Sequence, residues 1–248
     1  MNNQYVTYLI NLEREPNKYS DFLARNSRTG LRFKRFQAID GRELTLDDCI
    51  KRNLIKTDTV AYTPGAIGCG ASHFALWKMA VAANNNMLVI EDDAFCRDDM
   101  IDQLQELLAT VNNWDIILLG YNTDAILDIQ IFEQCDYGGF FSNPRPSCEQ
   151  LQLFAKSTNN VTAVRLNNAF GTCSYLISPQ GAQKLLQLFP MDNRQVVIPG
   201  NKSRFGKDTF YCMTLDMMMN TLYRQINAYA AIPPLVVPLN NPEASSTR

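Results

Sequence analysis

The sequence predicts an α/β protein built around a mostly parallel β-sheet. Three short stretches rich in apolar, β-branched or aromatic residues are typical of strands, at 5–12, 87–90 and 114–120. Two stretches typical of helices, at 68–83 and 98–111, lie before and after the second of these strands. Strands that alternate with helices favour a parallel sheet with helices on both faces.

Local signals define the other elements of the first half. Pro16 lies near the start of a helix after the first strand, where proline is favoured. Residues 32–41 form a second strand, which ends at the turn signal Asp40-Gly41. The helix at 68–83 carries one formal charge and should be largely buried. The helix at 98–111 has acidic residues at its N-terminal end, where they favour a helix.

The second half is less regular. Periodicity weakens over 121–168, which predicts a long irregular excursion with room for a short hairpin. A strand at 172–178 and a helix at 179–189 follow. Residues 209–226 are predicted to be helical, and the proline-rich segment after them extended. Before residue 209, the polar stretch 199–208 is predicted to be a basic loop with Lys202, Arg204 and Lys207, which either closes over phosphates or is simply solvated.

The composition excludes several classes of protein. The chain has 248 residues, of which 46% are hydrophobic, and a net charge of −2, so nothing global indicates nucleic-acid binding. No apolar run is long enough to span a membrane, and residues 1–15 do not resemble a secretory signal. The seven cysteines contain no C-x-x-C pair and the chain has one histidine, which argues against a disulfide framework and against zinc. Reduced thiols fit a cytoplasmic protein.

Three adjacent carboxylates, Glu91, Asp92 and Asp93, follow the apolar strand "MLVI" directly. Ligands of parallel sheets bind at the carboxyl ends of the strands, so we expect the cluster at that edge. Adjacent carboxylates repel one another unless a cation compensates. Mn²⁺ or Mg²⁺ takes oxygen ligands and shares them with substrate phosphates. The alternative is a solvated turn before the helix at 98.

Several blocks in chain order resemble glycosyltransferase family 25, which includes bacterial lipooligosaccharide galactosyltransferases and collagen galactosyltransferases. The blocks are "NLER" (11–14), "AIDG" (38–41), "GAIGCGASHFALWKMAV" (65–81), "MLVIEDDAF" (87–95), "FGTCSYLISPQGAQKLL" (170–186) and "TLDMMM" (214–219). They are collinear over residues 5–235, and this shared order makes the resemblance specific. One departure is Ala66, where the family usually has glutamate.

The resemblance implies a GT-A-type, Rossmann-like single domain over residues 1–240. Within it, about 1–120 would bind the nucleotide sugar and about 121–240 the acceptor, with 241–248 as a tail. It also implies a metal-dependent, inverting transfer of galactose or glucose from a UDP-sugar, which forms a β-glycosidic bond. The implied acceptor is a lipid-linked lipopolysaccharide or lipooligosaccharide core. Such an enzyme would be cytoplasmic and could contact the inner face of the inner membrane peripherally.

By the same resemblance, Glu91-Asp92-Asp93 acts as a DXD motif. Asp93 would bind Mn²⁺ or Mg²⁺ directly. Glu91 would be a second metal ligand or would contact the ribose or a metal-bound water, and Asp92 would assist or orient. An inverting displacement also needs a base for the acceptor hydroxyl. Asp216 is the candidate, because it is a lone acid in an apolar segment. Asp216 has two alternative roles: it is a further metal ligand, or it is an acid on the exposed stripe of a helix.

Five more residues are candidate donor contacts. Asn11 and Arg14 belong to the first block, and Arg14 and Asp40 follow predicted strands, where such folds bind the base and the ribose. Ser72-His73 matches the family, although a lone histidine on an apolar helix is as often a core residue. Donor contacts are therefore predicted at Asn11, Arg14, Asp40, Ser72, His73, Glu91 and Asp92.

Two other functions compete with the transferase. A non-catalytic protein that binds sugar nucleotides or glycans would keep the fold, and Ala66 is the feature that favours it. Glu91, Asp92, Asp93 and Asp216 oppose it, because a binding protein needs no base. A metal-dependent phosphohydrolase usually has a nucleophilic aspartate after the first strand, where this chain has "NLERE".

Overall fold

The computed structural model describes residues 5–57, 62–143, 145–199 and 207–239. In these residues the strands are β1 (Val6–Asn11), β2 (Lys34–Gln37), β3 (Met87–Glu91), β4 (Ala94–Cys96), β5 (Ile116–Gly120), β6 (Ile126–Phe132), β7 (Cys135–Phe140), β8 (Thr162–Asn168), β9 (Ser174–Ile177), β10 (Gln195–Pro199), β11 (Lys207–Tyr211), β12 (Ala228–Ile232) and β13 (Val236–Pro238). The α-helices are α1 (Pro16–Arg25), α2 (Leu46–Lys51), α3 (Pro64–Ala83), α4 (Met100–Thr110), α5 (Cys148–Ala155), α6 (Pro179–Leu185) and α7 (Leu215–Met219). Short 3₁₀ turns lie at 41–43, 186–188 and 223–225.

Most strands join one sheet in the order β2-β1-β3-β9-β5-β12-β8-β6-β7. In its central part β2, β1, β3, β5 and β12 run in one direction, and β9, between β3 and β5, runs in the other. Antiparallel pairing of β8, β6 and β7 extends the sheet, and β13 links β4 to β5. The predicted α/β class with a mostly parallel central sheet is confirmed.

Helices cover both faces of this sheet. On one face α3, α6 and α7 form a core that includes Trp77, and on the other α1 and α4 form a core that includes Phe22. Strand β3 lies between the two cores, with Val89 in the first and Leu88 and Ile90 in the second. This alternation follows from the two-residue period of a strand, and it fixes the end of β3 within a rigid, buried layer.

Helix α3 begins four residues before the predicted start at 68. Thr63 Oγ1 accepts a hydrogen bond from Ala66 N (3.1 Å), and Pro64 occupies the first turn, so the two residues cap the helix. The helix ends at Asn84, which has the left-handed conformation (φ 49°) common after a last turn. The predicted helix is too short because the prediction rested on the apolar run and did not use the Thr63-Pro64 cap.

Two predictions for the second half are wrong in part. The excursion over 121–168 holds the β6–β7 hairpin, helix α5 and strand β8, because residues 162–168 pair with β6 and β12. The predicted helix over 209–226 begins instead as strand β11, which pairs with β10. Only 215–219 are α-helical there. Pairing with a partner strand outweighs helix propensity in a stretch with Thr209, Phe210 and Tyr211.

Several expectations concern the whole chain. Across the described ranges, no helix is both long and apolar enough to cross a membrane. All seven cysteines belong to the described part of the chain and carry free thiols. Two predicted features lie outside the described residues: the tail at 241–248, and the basic loop with Lys202, Arg204 and the side chain of Lys207. The division into a donor half and an acceptor half stays a prediction.

Candidate active site

The three carboxylates lie where the central strand β3 ends. Glu91 is the last residue of β3, and Asp92 and Asp93 form the turn that leads into β4. Asn11, at the end of β1, lies beside them because β1 and β3 are parallel neighbours. The predicted position of the cluster, at the carboxyl edge of the parallel strands, is confirmed.

A chain of buried hydrogen bonds ends on Glu91. Trp77 Nε1 donates to the Tyr175 hydroxyl (2.9 Å), and that hydroxyl lies 2.7 Å from His73 Nδ1. His73 Nε2 in turn lies 3.2 Å from Glu91 Oε1. Since Tyr175 accepts from Trp77, its own proton faces His73 Nδ1, and the histidine proton sits on Nε2, toward Glu91. The Thr172 hydroxyl donates to the same carboxylate oxygen.

These contacts set the charge of Glu91. Burial opposes its ionisation, but the hydrogen bonds from His73 and Thr172 outweigh burial and lower the pKa of Glu91. Glu91 is therefore an ionised carboxylate with one oxygen fixed by two donors. His73 is a buried residue that positions Glu91. It is therefore a core residue, as one interpretation of the sequence has it, and it also lies at the predicted donor site, as the other has it.

Asp92 is held by side chains from β1 and α1. Asn11 Nδ2 donates to Asp92 Oδ2 (2.6 Å), and Asn11 Oδ1 accepts a hydrogen bond from Arg35. Arg25 donates to the backbone carbonyls of Asp92 and Ala94. Burial raises the pKa of Asp92, and the Asn11 bond opposes that shift. These bonds fix the turn that carries the cluster.

Asp93 differs from its two neighbours. Among the described residues, its Oδ1 atom is one of three buried side-chain oxygens without a hydrogen-bond partner. Burial, and then the charges of Glu91 and Asp92, raise the pKa of Asp93 to about 7. A buried carboxylate oxygen without a partner beside two more carboxylates is costly unless a cation is bound. This chemistry fits a hard divalent cation, whose ligands are carboxylate oxygens.

A cavity of about 310 Å³ opens beside the cluster, between the end of β1, residues 38–42, α3 and the end of β3. Its volume is at the lower end of the range for small-molecule sites. All seven predicted donor-site residues line it, which are Asn11, Arg14, Asp40, Ser72, His73, Glu91 and Asp92. Asp93 and Asp216, although both are described, are not among its lining residues.

An ion-pair cluster lies along the cavity wall at Asp40. Arg42 and Arg14 both donate to its carboxylate, over 2.8 and 2.6 Å. The bonds from Arg42 and then Arg14 hold the pKa of Asp40 well below its usual range, although burial opposes them. Asp40 is therefore ionised and already paired, so a polar ligand group would meet guanidinium groups as well as the carboxylate.

Helix α3 packs closely against the backbone of residues 38–41, which form another part of the cavity wall. Ser72 Oγ accepts from Ile39 N (2.8 Å) and donates to Gly68 O (2.7 Å). A Cβ atom on Gly41 would lie 1.8 Å from Pro64 O, so no other residue fits there without a shift. Ser72 thus lines the cavity while its hydroxyl fixes the cavity wall, and a direct donor contact would have to replace one of these bonds.

Asp216 lies in the first turn of α7 and is half-buried. Its Oδ2 atom accepts from Gly171 N (2.8 Å). Its Oδ1 atom accepts from Met217 N (2.9 Å) and from the Thr214 hydroxyl. These bonds fix the carboxylate in one orientation, which does not fit the alternative of an acid on an exposed helical stripe.

Two consecutive residues connect Asp216 to the carboxylate cluster. Gly171 donates its N–H to Asp216, and Thr172 donates its hydroxyl to Glu91. Consecutive Cα atoms are only about 3.8 Å apart. Burial and the charges of Glu91 and Asp216 raise the pKa of the Cys69 thiol, so this cavity-lining residue lies near both. The structure therefore brings Asp216 to the site, next to the residues that line the cavity.

Sequence reasoning did not single out Gly171, Thr172 or Tyr175 as site residues. All three belong to the stretch 170–186, which carries the family resemblance. The sequence feature that could have identified them is the strand that follows Thr172. This strand, β9, pairs with β3, so the residues just before it lie beside Glu91. That antiparallel pairing is not visible in the sequence.

Gly171→Ala is expected to destabilise the protein by about 2–4 kcal/mol. Gly171 has φ +88°, and an added Cβ would lie 2.3 Å from Asn122 Oδ1. The strain would move the N–H that binds Asp216. Thermal unfolding measures the effect, with Gly139→Ala as the matched control, because the three atoms nearest to an added Cβ there all belong to the Tyr137 side chain, which can move. Equal melting temperatures for the two variants would contradict this account.

The sequence matches known proteins over most of its length. The family model "Glycosyltransferase family 25 (LPS biosynthesis protein)" matches residues 4–197. A "Glycosyltransferase 25 family member" from Aedes aegypti is 28% identical over 197 residues, which cover 75% of this chain and 28% of that protein. "Procollagen galactosyltransferase 1" from Danio rerio is 23% identical over 243 residues, which cover 93% of this chain and 36% of that protein. The chain thus spans about a third of the length of these relatives.

Among solved structures, the glycosyltransferase GlyE of Streptococcus pneumoniae TIGR4 is similar over 97% of this chain and 55% of that chain. The identity is 12% and the TM-score 0.39, which is too low to support an argument. The family match includes the carboxylate cluster and the residues that line the cavity, whereas Asp216 lies beyond residue 197.

Proposed function

Because this chain belongs to glycosyltransferase family 25, we propose that it is a metal-dependent, inverting hexosyltransferase that uses a UDP-sugar, with UDP-galactose as the first candidate and UDP-glucose as the second. The observation that carries the proposal is the carboxylate cluster at the end of β3, where Asp93 Oδ1 is buried without a partner beside a cavity lined by the predicted donor residues.

Asp93 and Glu91 are the proposed ligands of Mn²⁺ or Mg²⁺. When bound, the ion would neutralise the negative charge that develops on the diphosphate leaving group. The chain itself orients these ligands, since His73 and Thr172 fix one oxygen of Glu91, and Asn11 fixes Asp92. Prior orientation of this kind favours the transition state, because no reorganisation is needed during reaction.

Asp216 is the proposed general base. Its carboxylate would accept the proton of the acceptor hydroxyl as that oxygen bonds to the anomeric carbon. The bond from that carbon to the UDP oxygen breaks on the opposite face, which inverts the configuration and gives a β-glycoside. The three hydrogen bonds to Asp216 support this role, because they hold the carboxylate in place beside the residues that contact Glu91.

The acceptor we propose is the sugar core of a lipid-linked lipopolysaccharide or lipooligosaccharide. The family description, which names lipopolysaccharide biosynthesis, supports it. Relatives named procollagen galactosyltransferases make procollagen peptides the competing acceptor. The proposed location is the cytoplasm, with peripheral contact at the inner membrane. The seven cysteines, an odd number without a C-x-x-C pair, support an intracellular site.

The first test follows UDP release. The protein is incubated separately with UDP-galactose, UDP-glucose and UDP-N-acetylhexosamines, with Mn²⁺ or EDTA and with either a lipooligosaccharide core or procollagen peptides. We expect release with one hexose donor, stimulation by one acceptor, and loss in EDTA. Mn²⁺-dependent UDP binding without release under every condition would favour the alternative, a non-catalytic binding protein. Neither binding nor release would refute the donor site.

A further inference from the structure

We propose that Cys69, His73 and Glu91 form a binding site for Zn²⁺ in the wall of the cavity, which shares Glu91 with the site proposed for Mn²⁺ but adds a thiol and an imidazole to it. The Cys69 sulfur, a ring nitrogen of His73 and a carboxylate oxygen of Glu91 all lie within 4.8 Å of one another. Thiolate, imidazole and carboxylate are the ligands that zinc takes in proteins, whereas Mn²⁺ and Mg²⁺ favour oxygen alone.

The local structure explains why these three groups meet. Cys69 and His73 are four residues apart on α3, so both side chains lie on the same helix face. Glu91, the last residue of β3, completes the set. The sequence argues against zinc because it has one histidine and no close cysteine pair, but it does not show that the end of a strand supplies a third ligand.

The distance between His73 and Glu91 suits a shared ion. His73 Nε2 and Glu91 Oε1 are 3.2 Å apart. Two ligands of a tetrahedral zinc ion, each bound at about 2.0–2.1 Å, are separated by about 3.3 Å. The ion would replace the proton that now lies between these two atoms. The His73 proton would then be on Nδ1 and be donated to the Tyr175 hydroxyl oxygen, 2.7 Å away, while the Tyr175 O–H would rotate away from the ring.

This contact supplies the outer hydrogen bond that histidine ligands of zinc usually make. Cys69, His73 and Glu91 all line the cavity, so an ion can reach them from solvent. Three protein ligands leave a fourth position for water, which is the arrangement of open zinc sites. Binding would also release the thiol proton of Cys69, since thiolate is the form that binds metal.

The test uses the metal-stripped chain and metal ions alone, without donor or acceptor. Competition with a chromophoric zinc chelator measures stoichiometry and affinity, and Cd²⁺ in place of zinc reports thiolate ligation by its ultraviolet charge-transfer band. We expect one ion per chain, and a Cd²⁺ band. Cys69→Ser should remove the band and weaken zinc binding by at least about 100-fold, because it removes a ligand of the ion.

Cys148→Ser is the matched control, because Cys148 is exposed on α5 and belongs to no such cluster among the described residues. It should keep the band and the affinity. Glu91→Gln should weaken zinc binding while it keeps the Cd²⁺ band. Zinc affinity that is unchanged in Cys69→Ser, or lost in Cys148→Ser, would overturn the proposal. Neither result depends on turnover, so the zinc site and the transferase can fail independently.

Discussion

Asp93→Asn is expected to abolish UDP release and, in the same molecule, to stabilise the metal-free protein. In the wild type, Asp93 Oδ1 is buried without a partner, next to the carboxylates of Glu91 and Asp92. Asparagine has a similar shape but no charge, so it removes the repulsion within the cluster. It also removes the proposed metal ligand, which should reduce turnover by at least about a thousandfold.

The gain in stability has a defined dependence on pH. Burial and the neighbouring carboxylates raise the pKa of Asp93 from 3.8 in the unfolded chain to about 7. Between these values the folded protein binds more protons than the unfolded chain, so its stability falls as the pH rises. The loss at pH 8 is on the order of a few kcal/mol. The advantage of Asp93→Asn should therefore be largest above pH 7 and vanish below pH 4.

Thermal unfolding in EDTA and in Mn²⁺, at pH 4 and pH 8, measures both effects. The wild type should gain stability from Mn²⁺ at pH 8, whereas Asp93→Asn should not respond to the ion. Asp21→Asn, the same change at an exposed position on α1, should respond like the wild type in each condition. An Asp93→Asn variant that is less stable than the wild type in EDTA at pH 8 would show that the carboxylate is not strained by its neighbours.

The position of this cluster could be predicted from sequence because its determinants are local. An apolar run followed by acids defines the end of a buried strand, and the order of parallel strands places that end at the ligand edge. The cavity residues on β1, α3 and β3 were predictable for the same reason. Each lies at the end of a strand or within the helix between β2 and β3.

The contacts that organise the site could not be predicted in this way. Tyr175, Thr172 and Gly171 reach Glu91 and Asp216 because β9 inserts antiparallel between β3 and β5, and its pairing with β3 joins residues more than 80 positions apart in sequence. Residues 209–211 form a strand because β10 is available to pair with them. Such choices depend on tertiary partners, and neither periodicity nor propensity encodes them.

Asp216→Asn is expected to reduce kcat by about 10²–10⁴-fold, the usual contribution of a general base, while Mn²⁺ still stabilises the protein. Asparagine can accept a hydrogen bond through its oxygen, but its NH₂ group would face either Gly171 N–H or the Met217 N–H and Thr214 hydroxyl. One of these interactions is lost, which should cost about 1–2 kcal/mol of stability. The loss of kcat must therefore be separated from simple destabilisation.

Asp192→Asn provides that separation. Asp192 binds Arg194 and Lys56, each over 2.6 Å, and these bonds lower its pKa to about 2 against the effect of burial. Its loss should destabilise the protein by a similar amount and leave kcat unchanged. If Asp216→Asn loses its response to Mn²⁺ together with turnover, Asp216 is a metal ligand and another group must accept the proton. If the response to Mn²⁺ remains and kcat alone falls, the carboxylate on α7 acts on the acceptor, and the bond from Gly171 keeps it aligned with the donor.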